Sequence, residues 1–330
     1  MKKSLVAFAL SFAIGFSLNC GKPSSASKRT IAVIPKGTTH EFWKSIHAGA
    51  NKAAREMAAQ GVEVELIWKG PIREDDREQQ IQVIEGFISQ RVSGIVLAPL
   101  DDRALVRPVE EASRAGIPTV VIDSGLQSDD IASFVATDNF KGGALAADRM
   151  GELLGGKGKV LLLRYQEGSA STEQREQGFL TELKSKYPAI EVISSDQYAG
   201  PTRDTAKRAS ENLLNQYGNQ LQGIFTPNES STAGMLLALQ DINKAGKVAF
   251  IGFDSSEAFI EGLRNKQIHG IVLQNPLRMG YLGVKTMLNH LMGQTVEKRI
   301  DTGVMLVTLD NVDNPELQEL LHPPLDEYLK

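Results

Sequence analysis

A chain of 330 residues with a hydrophobic share of 42% has enough apolar material for about two domains, each with its own core. A formal charge of -4 without basic runs excludes the usual kind of nucleic-acid-binding surface. The single cysteine, Cys20, excludes an intrachain disulfide and a thiolate metal cluster.

Lys2 and Lys3 open a leader whose apolar run, residues 5–18, is too short to cross a bilayer comfortably, which predicts an export signal over residues 1–20. Cys20 ends that run, and a Ser-rich tether, residues 21–28, follows. The layout resembles a bacterial lipoprotein signal, in which the cysteine is lipidated and becomes the mature N-terminus. Ser17-Leu18-Asn19 departs from the small residues usual before such a cysteine, and an ordinary cleaved signal is the alternative. Either reading carries the protein out of the cytoplasm.

Beyond the tether, short β-rich runs alternate with helical patterns, the signature of parallel strands joined by crossover helices. Strands are predicted at 31–34, 62–68, 94–98, 119–122 and 133–136. The first helix places Phe42, Ile46, Ala50, Ala53 and Met57 on one stripe, and further helices are predicted over 74–90, 103–115 and 140–154. Past Gly155 the alternation restarts, with strands at 160–163, 191–194, 223–226, 249–252 and 270–273 and a last long helix over 277–292.

The second half echoes the first. Gly94-Ile95-Val96-Leu97-Ala98-Pro99 returns loosely as Gly223-Ile224-Phe225-Thr226-Pro227, and the run ending Ile122-Asp123-Ser124 returns as the run ending Phe253-Asp254-Ser255. Such self-similarity predicts two halves of like fold. If two sheets each end a strand with Asp-Ser and face each other, Asp123 and Asp254 point into one cleft.

Carboxylates at strand ends suit a polyhydroxylated ligand, because each accepts charge-assisted hydrogen bonds from neighbouring hydroxyls. The alternative is a turn at Asp123 and a helix cap at Asp254. Phe42 and Trp43 are adjacent and point about 100° apart on a helix. Spacing gives Phe42 to the core stripe and leaves Trp43 freer to offer a flat apolar face to a sugar ring. Asn228 and Gln274 follow strands and can both donate and accept, although Asn228 is also a good N-cap. Ser171 with Gln174 reads as a capping box, which would leave Glu173 and Arg175 as first-turn charges.

Enzyme motifs are absent. Gly151 to Lys157 matches most of a phosphate-binding loop, but Gly158 stands where Ser or Thr is required, and the run follows a helix and precedes a predicted strand, the wrong order. His40 and His47 are seven apart rather than four, which is not the helical zinc motif, and there is no G-x-S-x-G elbow. No catalytic residue, cofactor or metal is expected.

Taken in order, the opening strand with its Phe42-Trp43 turn, I-P-T-V-V-I-D-S, A-T-D-N-F-K-G-G, Q-R-E-Q-G-F, P-N-E, I-G-F-D and V-L-Q-N-P resemble the type I periplasmic sugar-binding proteins of the ribose-binding-like group, the receptor components of ABC importers. The resemblance covers nearly all of the chain past the leader. It implies two Rossmann-like α/β lobes with parallel sheets and the ligand in the cleft between them, with crossings near Thr137, Gln274 and Thr302. The amino-terminal lobe would hold residues 29–137 and 275–302, the carboxy-terminal lobe residues 138–274 and 303–330. It implies ligand contacts from His40, Phe42, Trp43, Asp123 and Ser124 on one lobe and from Asn228, Asp254 and Gln274 on the other. Where ribose binders have Asp followed by Arg, this chain has Asp123-Ser124, and their other pocket arginine falls at Glu173, with Arg175 nearby. Losing forked donors argues against ribose itself. Lys36 is a candidate replacement donor, with a solvated lysine the safer reading.

The expected function is capture of a monosaccharide or similar polyol by a monomer on the outer side of the cytoplasmic membrane or in the periplasm, and delivery to an ABC permease. The alternative is a sensory receptor for a sugar or furanose-like signal that acts on a chemoreceptor or histidine kinase. If Cys20 is lipidated, Cys20→Ser should move the protein from the membrane fraction to the soluble one, because paired acyl chains hold far more strongly than one. Unchanged fractionation, with no lipid label on the wild type, would rule the anchor out.

Overall fold

A computed structural model describes residues 28–38 and 40–329; the leader, Cys20 and tether residues 21–27 lie outside the described residues. The first lobe is a parallel sheet of β1 (Arg29–Ile34), β2 (Val64–Trp68), β3 (Gly94–Leu97), β4 (Thr119–Ile122) and β5 (Ser133–Ala136) in the order β2-β1-β3-β4-β5. Its early connections run through α1 (Glu41–Ala59), α2 (Arg77–Ser89) and α3 (Val106–Arg114). The second lobe repeats the plan with β6 (Lys157–Leu162), β7 (Ala189–Ser194), β8 (Gly223–Phe225), β9 (Ala249–Phe253) and β10 (Gly270–Leu273) in the order β7-β6-β8-β9-β10. Around it lie α4 (Asn139–Leu154), α5 (Ala170–Lys186), α6 (Arg203–Tyr217), α7 (Glu229–Asp241) and α8 (Glu257–Arg264).

The strands read as near-continuous apolar runs because both sheet faces are covered. Ile31 and Val33 pack towards α1, while Ala32 and Ile34 pack on the other face with Phe87 of α2 and Val109 of α3. Leu161 and Leu163 face Leu213 of α6 and Leu236 of α7, whereas Val160 and Leu162 face Met150 of α4 and Phe179 of α5.

The chain leaves the first sheet after β5, returns after β10 through α9 (Pro276–Leu291) to β11 (Arg299–Asp301) beside β5, and then crosses again to β12 (Met305–Val307), antiparallel to β10. Neither short edge strand was expected from the sequence. Each has three residues, and charges at Arg299 and Asp301 leave no run to read. The crossings are tied together: Thr137 Oγ1 lies 3.3 Å from Thr302 Oγ1, and the Arg299 guanidinium donates to the carbonyls of Ala136 (2.9 Å) and Thr137 (3.0 Å).

After β12, α10 (Pro315–Leu321) buries Leu317 and Leu321 in the second lobe. The sequence expectation puts residues 303–330 on that lobe, and α11 (Leu325–Tyr328) departs from it. This short helix lies on α1 of the first lobe. Asn51 Nδ2 donates to the Tyr328 carbonyl at 2.8 Å, Arg55 to the Glu327 carbonyl at 2.6 Å, and the Tyr328 ring sits beneath the Lys52 and Arg55 cations at 5.8 and 5.7 Å. Pro323-Pro324 stops α10 and frees the tail to make these contacts.

Each lobe also contains one close helix crossing made by reciprocal glycines. A Cβ on Gly49 of α1 would run into the Leu277 carbonyl of α9, and one on Gly280 of α9 into the Ile46 carbonyl; Gly143 and Gly178 are matched likewise where α4 crosses α5. Gly280→Ala therefore overpacks a backbone contact, an effect of about 1–3 kcal/mol, and should lower the unfolding midpoint by several degrees. Gly86→Ala, in an open stretch of α2, should raise it slightly by improving helix propensity. Calorimetric scans of both variants check this, and shifts of the same sign would contradict it.

Candidate functional site

The carboxyl ends of the parallel strands in both lobes converge on one space, the place where open α/β sheets bind ligands. From the first lobe come Lys36, His40, Phe42, Trp43, Glu74 and Asp123. The second supplies Tyr165, Ser171, Thr172, Arg175, Asn228, Glu229, Asp254 and Gln274 at its matching loops and helix starts. The lobes are closed on one another, and the cavity left between these side chains is about 30 Å3.

Asp123 and Asp254 occupy equivalent positions, one residue past β4 and one past β9. Both have left-handed backbone, with φ of 62° and 69°, and each donates its N–H to the next strand, Asp123 to Val135 O at 3.1 Å and Asp254 to Val272 O at 2.9 Å. Asp tolerates this conformation better than most residues. Asp123 pairs with Lys36, whose Nζ lies 3.1 Å from Oδ2 and also reaches Ser171 Oγ (3.1 Å) and Ser169 Oγ (3.2 Å) on the other lobe. Asp254 accepts from Gln274 Nε2 at 2.7 Å and from the Glu229 N–H at 3.0 Å. Burial raises Asp254 to about 6; Arg175 and Gln274 work against that rise, while Asp123 and Glu229 add to it.

Glu74 joins the lobes. Its Oε1 accepts from Trp43 Nε1 at 2.6 Å and meets His40 Nδ1 at 2.9 Å, its Oε2 accepts from Tyr165 OH at 2.6 Å, and its carbonyl accepts from Gln166 Nε2 at 2.8 Å. His40 also lies 3.4 Å from Glu229 Oε2, and Glu229 is held from outside by Arg203. Burial alone would lower His40, but the hydrogen bond and charge of Glu74, with Glu229 behind, hold it up at about 9. Burial would raise Glu74, yet His40, Lys36 and the Trp43 indole bring it down to about 2.

Arg175 is buried over the Phe253 ring, 4.0 Å from its centroid, and donates to Asn139 Oδ1 (2.8 Å) and the Pro227 carbonyl (2.9 Å). Its Nη2, together with Gln274 Oε1, is buried without a partner among the described residues. The four carboxylates of Glu74, Asp123, Glu229 and Asp254 face the cations Lys36, His40, Arg175 and Arg203. The cleft is close to charge-neutral, rich in hydrogen-bonding groups, and walled on one side by aromatic rings.

Of the residues singled out in the sequence, His40, Phe42, Trp43, Asp123, Arg175, Asn228, Asp254 and Gln274 line this space. Two do not. Ser124 is buried beneath it and accepts from the Ser171 N–H across the lobe boundary at 3.1 Å. Glu173 turns away and accepts from the Gly168 N–H at 2.8 Å, bracing the loop before α5.

Other expectations also change. Lys36 is 3% exposed rather than solvated, because Asp123 pairs with it. Trp43 is the buried aromatic, at 3%, and Phe42 the partly open one, edge-on at 5.0 Å; the start of α1 points its first turn into the cleft before the core stripe is established. Ser171 caps nothing, since α5 begins at Ala170 and Ser171 faces Lys36. Asn228 is the N-cap of α7, in a capping box with Ser231, and it also lines the cleft. Asp254 does not cap α8, whose N-cap is Ser256; its carboxylate accepts instead from the first N–H of α7, at Glu229. Glu74, Tyr165 and Glu229 were missed. The only hint was that a buried indole N–H needs an acceptor.

Two like lobes closing on a neutral polar cleft at their strand ends define a solute receptor of the type I binding-protein fold. Residues 31–295 match the family described as periplasmic binding protein domain, and the chain belongs to it. It is 28% identical to the ribose import binding protein of Bacillus subtilis (strain 168), over 87% of this chain and 90% of the relative. A carbohydrate transporter solute binding protein from Agrobacterium radiobacter in complex with D-arabinose superposes with a TM-score of 0.84 at 34% identity, over 90% of this chain and 100% of that one. An ABC transporter solute binding protein from Agrobacterium vitis with bound D-fucose gives 0.83 at 34%, over 89% and 100%. The chain is a solute-binding protein and not an enzyme.

A raised histidine gives this network a pH signature. The folded state keeps the His40 proton that the unfolded chain releases near pH 6.5, so its contribution is complete below that pH and is lost as pH rises through about 9. The unfolding midpoint should fall across that interval, and His40→Gln should flatten the fall while lowering the midpoint at neutral pH, since Glu74 then loses its cation. Unfolding scans from pH 6 to 10 on both proteins check it; parallel curves would show that His40 is not the titrating group.

Proposed function

We propose that the protein captures an uncharged monosaccharide or similar polyol in the interlobe cleft, outside the cytoplasmic membrane, and delivers it to the permease of an ABC importer. The observation that carries this reading is the pair of strand-end aspartates, each in left-handed backbone, directed from opposite lobes at one space that also holds the unpartnered Arg175 Nη2 and Gln274 Oε1. Acceptors and forked donors in a charge-balanced setting suit hydroxyl groups and disfavour an ionic ligand, which would leave one set of buried charges uncompensated. Phe42 and Trp43 supply the flat apolar wall that packs on the C–H face of a sugar ring.

Relatives named for sugar import favour transport over a sensory role. Ser124 in place of a second forked donor beside Asp123, with Lys36 there as a single-point donor, supports a sugar other than ribose. The cleft is complete within one chain, which supports a monomer. A lipid at Cys20 would hold the receptor at the membrane face near its permease.

A thermal-shift panel of pentoses, hexoses and polyols should give at least one stabilising ligand, and calorimetric titration with it tests the site. Asp254→Asn removes the charge that strengthens hydrogen bonds, a difference of about 1 kcal/mol or more, and should weaken binding by roughly tenfold at pH 7.5. Asp123→Asn is the less clean probe, because it strands the buried Lys36 cation. Wild-type affinity in the Asp254 variant would remove that residue from the site, and a panel without any hit would defeat the sugar reading.

A further inference from the structure

Behind the wall formed by Phe42, Asp254 and Gln274 lies a second chamber of about 280 Å3, which those three residues share with the sugar cleft. Its other walls are Leu273 and Pro276 at the crossing into α9, and Leu321, Pro323 and Leu325 of the carboxy-terminal tail, which bridges the lobes here. His322 is tied to Glu257 at 3.0 Å on its rim. The walls are mainly apolar. Polar side chains interrupt them, Glu41 and Ser45 of α1 and Ser255, Ser256 and Glu257 at the start of α8 among them, and two oxygens, Ser255 Oγ and Gln274 Oε1, are buried without a partner among the described residues.

A site made only for a free monosaccharide, hydroxylated all round, gains nothing from a mainly apolar recess beside two of its binding groups. We infer that this chamber is an annex of the sugar site that receives an apolar substituent carried on the sugar, so that the ligand class is an O-alkyl or O-aryl sugar such as a glycoside. The inference rests on the sugar-binding reading above and extends it. An apolar cavity of about 150 Å3 accepts benzene, so 280 Å3 has room for a phenyl group and its linking oxygen. That oxygen would pass Asp254 and Gln274, where the ring hydroxyls are already held. Gln274 and Ser255 have the spare hydrogen-bonding capacity to meet it. The tail supplies the outer wall, which gives the contact of α11 with α1 a role in shaping ligand choice.

Calorimetric titration of the full chain past the leader tests this with D-allose, D-arabinose and D-fucose, with their methyl and phenyl α- and β-pyranosides, and with 6-O-benzyl-D-allose. At least one aryl-substituted sugar should bind as tightly as its parent or tighter. Ser45→Leu fills the chamber from α1 and Leu325→Trp from the tail; neither residue lines the sugar cleft. Each should weaken the aryl ligand by about tenfold or more, the cost of losing several buried carbons, and leave the parent sugar within about threefold. If the parent sugars bind and every substituted one is refused, the annex is wrong and the sugar site stands. If none of the probes binds, both readings fall. If the filling variants weaken parent and substituted sugars alike, the chamber serves packing and the inference is overturned.

Discussion

Glu74 must keep its charge while buried between the lobes, and the arrangement of the cleft follows from that requirement. An isolated buried carboxylate would take up a proton. Here it is surrounded by the His40 imidazolium, the Trp43 indole N–H and the Tyr165 hydroxyl, three donors from two lobes. Those bonds fix Trp43 as a wall, hold His40 protonated, and place Tyr165 at the end of β6 against the loop before α2. Removing a member of such a network leaves the others with unmet demands, so its parts are constrained together. His40 carries the dependence onward to Glu229, which needs Arg203, and Glu229 lends its N–H to Asp254. The carboxylates of the cleft are thus linked through their cations and through one another.

The duplication of the fold explains why two of them sit where they do. Both sheets run in the same strand order, and in both the fourth strand ends with an aspartate whose left-handed backbone turns the side chain off the sheet edge. Facing the lobes towards each other brings these acids together, and the rise of Asp254 includes a contribution from Asp123. The lobes have diverged in how they handle the charge. Lys36 neutralises Asp123 directly, whereas Asp254 is held by neutral donors and the nearby Arg175. That leaves Asp254 without the direct ion pair that Asp123 makes.

The alternation of strands and helices and the strand-end positions of Asp123 and Asp254 were legible in the sequence because they depend on local patterns: apolar runs buried on both faces, and repeated strand-end residues. What escaped depends on distance across the fold. Lys36 reads more safely as a solvated lysine until Asp123, three strands further along the chain, is brought against it. Arg175 and Glu173 are two positions apart, so they point to different sides of α5, and only the packing of α5 on α4 decides which faces the cleft. Glu74 lies in a loop with no periodicity, and nothing nearby in sequence marks it as a hub. The tail was misplaced for a similar reason: α11 is too short to show a face, and its partners Asn51 and Arg55 lie at the other end of the chain.

Closure and recognition use neighbouring but separate sets of contacts. The loop before α5 grips the first lobe through atoms outside the cleft: the Asp102 N–H donates to the Gly168 carbonyl at 3.0 Å, Arg77 to the Glu167 carbonyl at 3.1 Å, and Gln166 to the Glu74 carbonyl at 2.8 Å. Periplasmic binding proteins are an established case of hinge closure around a ligand. In such a system the apparent affinity is the intrinsic affinity of the closed form reduced by the fraction of molecules able to close. Contacts made on closing that never touch the ligand raise that fraction for every ligand equally. On the proposed reading the aspartates, Arg175 and the aromatic wall would set which solute is chosen, while the Gly168 loop would set how tightly any chosen solute is held. Glu74 belongs to both sets, since its side chain orders the cleft and its carbonyl accepts a closing contact, and a change there would alter selectivity and affinity together.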